Sequence, residues 1–300
     1  MNKKISLLAV LSLLTACGGS GSGSPAETLS GEKIGATEIS SLQKLTLTTL
    51  DPEDPIEITE NGTFKYTQNH SDGTTDEYEF TNLLKQANGT IKAETTVDWE
   101  DEDDEFGKFS GTNKAVLTLD GERTGLSYAQ FGTINEQVVA VSNSAVLKGH
   151  DLPLPTEGSA FFGGNDDYEI DRSNITKEMT FEGNALGYAT YDDAEDFAHS
   201  VDLDGKATLV VDKDSEKLSL KFDNFYDVNY DSSDRTIEFV NAKDGMDKGF
   251  ETAFSNINGK NFATRYYGDS ADNITEVSGM INAFGDDAEF EASFGAKKAE

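Results

Sequence analysis

Apolar and polar residues alternate with a period of two along most of this 300-residue chain. That is the pattern of strands with one face buried. The run Gln43 to Leu50 carries it, with Thr, a good strand former, between leucines. Ile56-Glu57-Ile58 and Phe64-Lys65-Tyr66 flank Asn61-Gly62, a hairpin signal. Asn88-Gly89 lies between Tyr78-Glu79-Phe80 and Ile91, and Asp120-Gly121 follows Ala115 to Leu119. No stretch up to 150 sustains a helical period, beyond a turn or two at Thr81 to Gln86. Residues 37–150 therefore read as an N-terminal antiparallel β-domain. Pro153 and Pro155 cannot sit in a central strand, so a boundary is expected there. Strand patterns resume at Ser159–Gly163, Met179–Tyr191, Lys206–Val211, Lys217–Phe225 and Arg235–Val240. Further ones follow at Glu251–Phe254, Asn261–Gly268, Glu276–Phe284 and Ala288–Gly295. Eight or nine such strands over 152–298 predict an up-and-down barrel, eight-stranded if one of the nine patterns is not a barrel strand, in which closure removes exposed edges. Periodicity alone does not separate a barrel from a sandwich.

The first residues follow another rule. Lys3 and Lys4 precede an apolar run, Ile5 to Leu14, too short to span a bilayer. Leu14-Thr15-Ala16-Cys17 then has the form of a bacterial lipobox, and Cys17 is the sole cysteine. This predicts a signal peptide over 1–16 and membrane attachment through lipidated Cys17, each acyl CH₂ contributing about 0.8 kcal/mol. Residue 18 is Gly rather than Asp, so the inner-membrane retention signal is missing and the outer membrane is the expected compartment, with surface exposure open. Residues 17–36, rich in Gly and Ser at their start, read as a flexible tether.

Composition narrows the chemistry. Fifty-six acidic against 24 basic residues give a net charge of −32, with no basic footprint for a nucleic-acid partner. Eighteen Phe and 10 Tyr supply a core, and one Cys excludes an internal disulfide. Among candidate sites the densest charge run is Asp98-Trp99-Glu100-Asp101-Glu102-Asp103-Asp104-Glu105. It suits a partner with a basic face, with Trp99 as an aromatic anchor; a solvated hairpin loop is the plainer reading. Asp227 to Glu238 imitates a calcium loop but has Ser232 where Gly is needed, so it reads as a polar hairpin. His70, His150 and His199 are weak candidates for haem ligation, each in a polar stretch, and loop histidines are the alternative. No esterase elbow, zincin, P-loop or dinucleotide motif occurs, so an enzyme is not expected.

Leu154-Pro155-Thr156-Glu157-Gly158-Ser159-Ala160-Phe161-Phe162-Gly163 resembles the opening of the transferrin-binding protein B-like barrel family. Asp204 to Asp212, Arg265-Tyr266-Tyr267-Gly268-Asp269-Ser270-Ala271 with Glu276-Val277-Ser278-Gly279, and Phe294-Gly295-Ala296-Lys297-Lys298 are similar to its later signatures. Departures are Asp269 for Pro, an insertion before Glu276, and Ser278 for Gly. Members include neisserial heparin-binding antigen, factor H-binding protein and hemophilin-type haem binders. The resemblance implies a handle-like domain before a barrel, in a lipoprotein that captures a protein or serves metal or haem acquisition. It implies a structural role for the signature residues, with glycines at tight turns. A haem carrier and a structural envelope lipoprotein are the alternatives. The protein-capture reading expects exposed aromatic loops, such as the one holding Phe225 and Tyr226.

Overall fold

The computed structural model describes residues 29–50, 55–69, 75–103, 107–142, 154–192, 198–243, 253–254, 257, 259–285 and 288–300. Strands dominate. The N-terminal part holds β1 (Glu32–Lys33), helix α1 (Ala36–Leu42), β2 (Thr46–Thr48) and β3 (Ile56–Ile58). Next come β4 (Phe64–Asn69), β5 (Thr75–Phe80), β6 (Leu84–Lys85), β7 (Ile91–Asp103), β8 (Gly107–Leu119), β9 (Ala129–Val141) and β10 (Leu154–Gly164). The remainder holds β11 (Glu169–Ile170), β12 (Met179–Asp192), β13 (Ala198–Val211), β14 (Glu216–Phe222) and β15 (Asp227–Asp231). It ends with β16 (Thr236–Val240), β17 (Gly259–Ser270), β18 (Asn273–Phe284) and β19 (Ala288–Lys298).

These form a seven-stranded sheet (β1-β6-β7-β8-β9-β10-β2), a three-stranded sheet (β3-β4-β5) and a nine-stranded sheet (β11-β17-β18-β19-β12-β13-β14-β15-β16). Every pairing is antiparallel. The all-β expectation stands. The small sheet covers the seven-stranded one through Phe64, Tyr66, Tyr78 and Phe80, which pack with Leu117, Ile134 and Phe161. Tyr78 donates from its hydroxyl to buried Glu136 at 2.6 Å. Burial and the Glu136 charge hold that phenol well above its ordinary pKa.

Four expectations change. The tether does not reach residue 36: β1 pairs with β6, Ile34 is buried and its N–H bonds Leu83, and α1 follows. That helix is one short segment, too brief to leave a periodic signal. Tyr78 to Phe80 pair with β4, while Asn88-Gly89 turns β6 into β7. The expected division at 150–152 puts Leu154–Gly164 with the second domain, whereas β10 pairs with β9 and β2 in the first sheet. Ala253 and Phe254, expected as strand, are helical and buried.

Barrel closure is also absent among the described residues. The first and last long strands of the nine-stranded sheet do pair, β12 with β19, but no ladder joins β16 to β17. Side chains bridge this gap instead. Tyr230 of β15 stacks against Phe262 of β17 at 4.6 Å between centroids, and Phe239 of β16 meets Phe290 of β19 at 5.4 Å. Glu216 of β14 accepts from Thr264 at 2.6 Å and from the Tyr266 hydroxyl, both on β17. A five-residue β16 and an aromatic-filled interior make the curled sheet close on packing rather than backbone pairing.

The outer faces of β12, β18 and β19 pack on the first sheet. Alternation sends Val277, Ile281, Phe290 and Phe294 inward to the aromatic core, while Glu276, Ser278, Met280 and Ser293 face the other sheet. Glu276, 2% exposed, accepts three backbone N–H groups from the entry to β9: Ser127 at 2.7 Å, Tyr128 at 2.9 Å and Ala129 at 3.3 Å. Ser278 donates to the Gly163 carbonyl at 3.1 Å and Ser293 to that of Gly132 at 2.8 Å. Gly295 lies mid-strand, not at a turn: a Cβ there would come within 2.6 Å of Leu126 and Phe131.

Replacing Glu276 with Ala removes the acceptor of three backbone donors, of which Ala129 is buried, Tyr128 half-buried and Ser127 exposed, and the expected loss is about 2 kcal/mol of stability. Glu276→Gln keeps one accepting oxygen and should lose about half of that. Denaturant midpoints of the two variants and the parent check the ordering; equal midpoints would contradict it.

Candidate functional site

Where the first sheet's loop leans over the second sheet, a cleft of about 440 Å³ opens, lined by polar side chains. Its upper wall is the loop joining β8 to β9. Asp120, fully buried, accepts from Arg123 Nε at 3.0 Å and from the Thr124 N–H at 2.9 Å. Gly121 allows this turn: its φ is +66°, and a Cβ would strike the Gly89 carbonyl oxygen at 2.3 Å. So fixed, Arg123 reaches across the seam and donates through Nη1 to both oxygens of Asp204 on β13, at 2.7 and 2.5 Å. Thr124 Oγ1 accepts from Asn184 of β12 at 2.9 Å, and the Asn184 carbonyl oxygen accepts from Lys206 Nζ at 2.6 Å.

The floor is a row across neighbouring strands. Asn184 stands opposite Lys206, Lys206 opposite Lys221, and Lys221 opposite Asp227. Asp223 and Asn224 close one end, where Asn224 donates to the Asp202 carbonyl at 3.0 Å. Asp202 itself accepts from Asn135 of β9. Asp202 is exposed along one side, yet desolvation by its neighbours raises its carboxyl pKa, with Lys92 and Asn135 pulling the other way. Three cations and three carboxylates line the cleft, a local balance in a chain of −32. Such a surface holds a polar ligand through charge and hydrogen bonds.

None of the residues expected as sites lines this cleft. The acidic run is strand as far as Asp103, not loop: Trp99 faces Gly111, Glu100 faces Ser110, and Asp101, Glu102 and Asp103 stand opposite Phe109, Lys108 and Gly107. Trp99 lies over Gly111 and donates from Nε1 to Asn113 at 2.7 Å, while Glu100 is exposed. Asp104, Glu105, His70, His150 and Cys17 lie outside the described residues. His199 is on β13, opposite Tyr191. Phe225 and Tyr226 correct the expectation of an exposed aromatic loop. Phe225 is 0% and Tyr226 7% exposed, and both pack against Phe239 and Phe254. The open end of the curled sheet needs those rings as its plug. The calcium-like stretch is the β15–β16 hairpin, where Asp231 and Asp234 accept from the N–H groups of Ser233 and Thr236. No three His, Cys, Asp or Glu among the described residues gather as a metal site.

Comparison with known proteins adds little weight. No family model and no curated protein matches the chain. A transferrin-binding protein B double mutant from Haemophilus parasuis Hp5 matches at 13% identity over 82% of this chain, with a TM-score of 0.36. The chain spans about half the length of that one, 52%. A protein of unknown function from the DUF3598 family of Nostoc punctiforme matches at 10% identity, over 89% of this chain and 100% of that one, with a TM-score of 0.20. The fold described above rests on the strand ladders.

Asp227, at the end of the lysine row, supplies a pH test. Burial would raise its carboxyl pKa, but Lys243 at 2.6 Å and Asn241 at 2.8 Å outweigh burial and lower it. A lowered acid pKa stabilises above the unfolded value, about 4, and that contribution disappears as pH falls through the folded value. Asp227→Asn should therefore cost about 1–2 kcal/mol at pH 7 and progressively less below pH 4. Chemical denaturation of both proteins across that range checks it; a pH-independent difference would contradict it.

Proposed function

We propose that the chain is a lipid-anchored outer-membrane protein that displays its β-sheets for binding and carries out no catalysis. The observation that carries this reading is the only cysteine, Cys17, placed directly after Leu14-Thr15-Ala16 and before a Gly/Ser stretch. Fourteen residues separate Cys17 from Glu32, where the sheet begins. A flexible chain of that length would reach roughly 20 Å, at about 5–6 Å times the square root of length. The motif resemblance to surface lipoproteins of the transferrin-binding protein B-like type supports the same reading.

The body suits display. Cross-bracing between the sheets fixes the cleft wall, because Arg123 and Thr124 of one sheet bond Asp204 and Asn184 of the other. The long β7–β8 hairpin carries Glu100 exposed beside a run of further acids in sequence. A protein partner for that hairpin presents a basic face, and its association slows with salt.

Cells expressing the parent should incorporate labelled palmitate and place the protein in the outer-membrane fraction. Cys17→Ser should lose the label and leave that fraction. Unchanged labelling in the variant would overturn the anchor.

A further inference from the structure

Lys206 and Lys221 face each other directly across β13 and β14. Side chains so paired lie about 5 Å apart at Cβ, and like charges there are destabilising. The acids nearby relieve the pair only in part, since Lys221 and Asp227 attract each other and the other acids have partners of their own. Asp227, opposite Lys221, is taken by Lys243 and Asn241, and Asp204 by Arg123. Asp202 accepts from Asn135. Lys206 is held by the neutral Asn184, and Lys221 has no hydrogen-bond or ion-pair partner among the described residues. Two lysines in facing register thus line the floor of a cleft, in a protein with more than twice as many acids as bases. A single anionic group between them turns their repulsion into attraction.

The rim limits what that anion can be attached to. Asp202, Asp204 and Asp223 repel a second negative charge, which disfavours polyanions. Asp223 and Asn224 instead offer the carboxylate and amide groups that hydrogen-bond hydroxyls. The volume, about 440 Å³, falls within the span of small-ligand sites, roughly 300–1,000 Å³. The lining holds no aromatic or aliphatic side chain, so the ligand is polar throughout. We propose that this cleft binds a carboxylated monosaccharide, with the carboxylate between Lys206 and Lys221 and the hydroxyls on Asp223 and Asn224. The proposal rests on the binding reading above and names the ligand class for the cleft; palmitate labelling at Cys17 tests the anchor whatever the cleft binds.

The test is calorimetric titration of the full chain in detergent with D-galacturonate, D-galactose and inorganic phosphate. Galacturonate should bind saturably with a Kd of about 1 mM or tighter, and the two controls at least about tenfold more weakly. Lys221→Met, at an exposed position, should lower galacturonate affinity at least about tenfold while leaving the melting temperature unchanged. Asp223→Asn separates a sugar-acid site from a bare anion site. Loss of its hydroxyl-accepting carboxylate should weaken galacturonate, whereas at a bare anion site the same change strengthens binding. No saturable galacturonate binding, phosphate binding as tight as galacturonate, Lys221→Met without effect, or tighter binding in Asp223→Asn would each overturn the proposal.

Discussion

One carboxylate accepting three backbone N–H groups anchors the two large sheets to each other, beside the Ser278, Ser293 and Arg123 bonds that cross the same seam. Glu276 is buried between the sheets, and the entry to β9 offers it three consecutive donors, those of Ser127, Tyr128 and Ala129. Unpaired, those donors would forbid burial; bonded to a charge, they set the loop's path. That path carries Ala129 into β9 and so positions the register of β9 with β10. It also sets where Arg123 and Thr124, a few residues earlier, can reach. The cleft is therefore a consequence of the interface, not an independent feature.

The same constraint explains why β12, β18 and β19 differ from the outer strands. β14 alternates between buried and exposed residues, as a strand facing solvent on one side should. β12, β18 and β19 are buried on both faces, with Phe181, Phe290 and Phe294 toward the curled interior and Gly, Ser and Glu residues beside Leu186, Tyr188 and Met280 toward the first sheet. Small residues are needed because Phe131 and Leu126 press against Gly295. Polar ones are tolerated because carbonyls of Gly132 and Gly163 accept from Ser293 and Ser278. The Ser278 hydroxyl thus adds a bond between the sheets.

The sequence exposes the strand content and most turns, because alternation and glycine position are local properties. Asn61-Gly62 and Asp120-Gly121 both place Gly at positive φ, as their dipeptides suggest. Partner choice is not local. The run Leu154 to Gly164 reads as a strand whether it pairs with β9 or opens a barrel, and only the competition between edges decides. Phe225 and Tyr226 follow a polar pair, Asp223-Asn224, and so look like an exposed loop; the unfilled end of the curled sheet draws them in. Of the cleft, the Asp120-Gly121 turn is legible in its dipeptide, but nothing local in the sequence marks Arg123. The facing of Lys206 and Lys221 exists only once β13 and β14 are in register, fifteen residues apart in the chain.

Charge ties these levels together. A net charge of −32 works against compactness, since acids repel one another across the whole surface. Cations are scarce, and many sit where they hold elements together: Arg123 across the seam, Arg172 on the carbonyls of Asp212 and Lys213, Lys243 on Asp227. Lys221 is spent on no such bond, and it lies beside a wall supplied by the other sheet. A ligand seated there touches the second sheet through its floor and the first through the Arg123 loop. Any such ligand binds the docked arrangement more tightly than a separated one, so binding and sheet docking are thermodynamically linked. Weakening the Glu276 anchor would then lower ligand affinity without altering a single residue of the cleft, and an occupied cleft would in turn stiffen the seam.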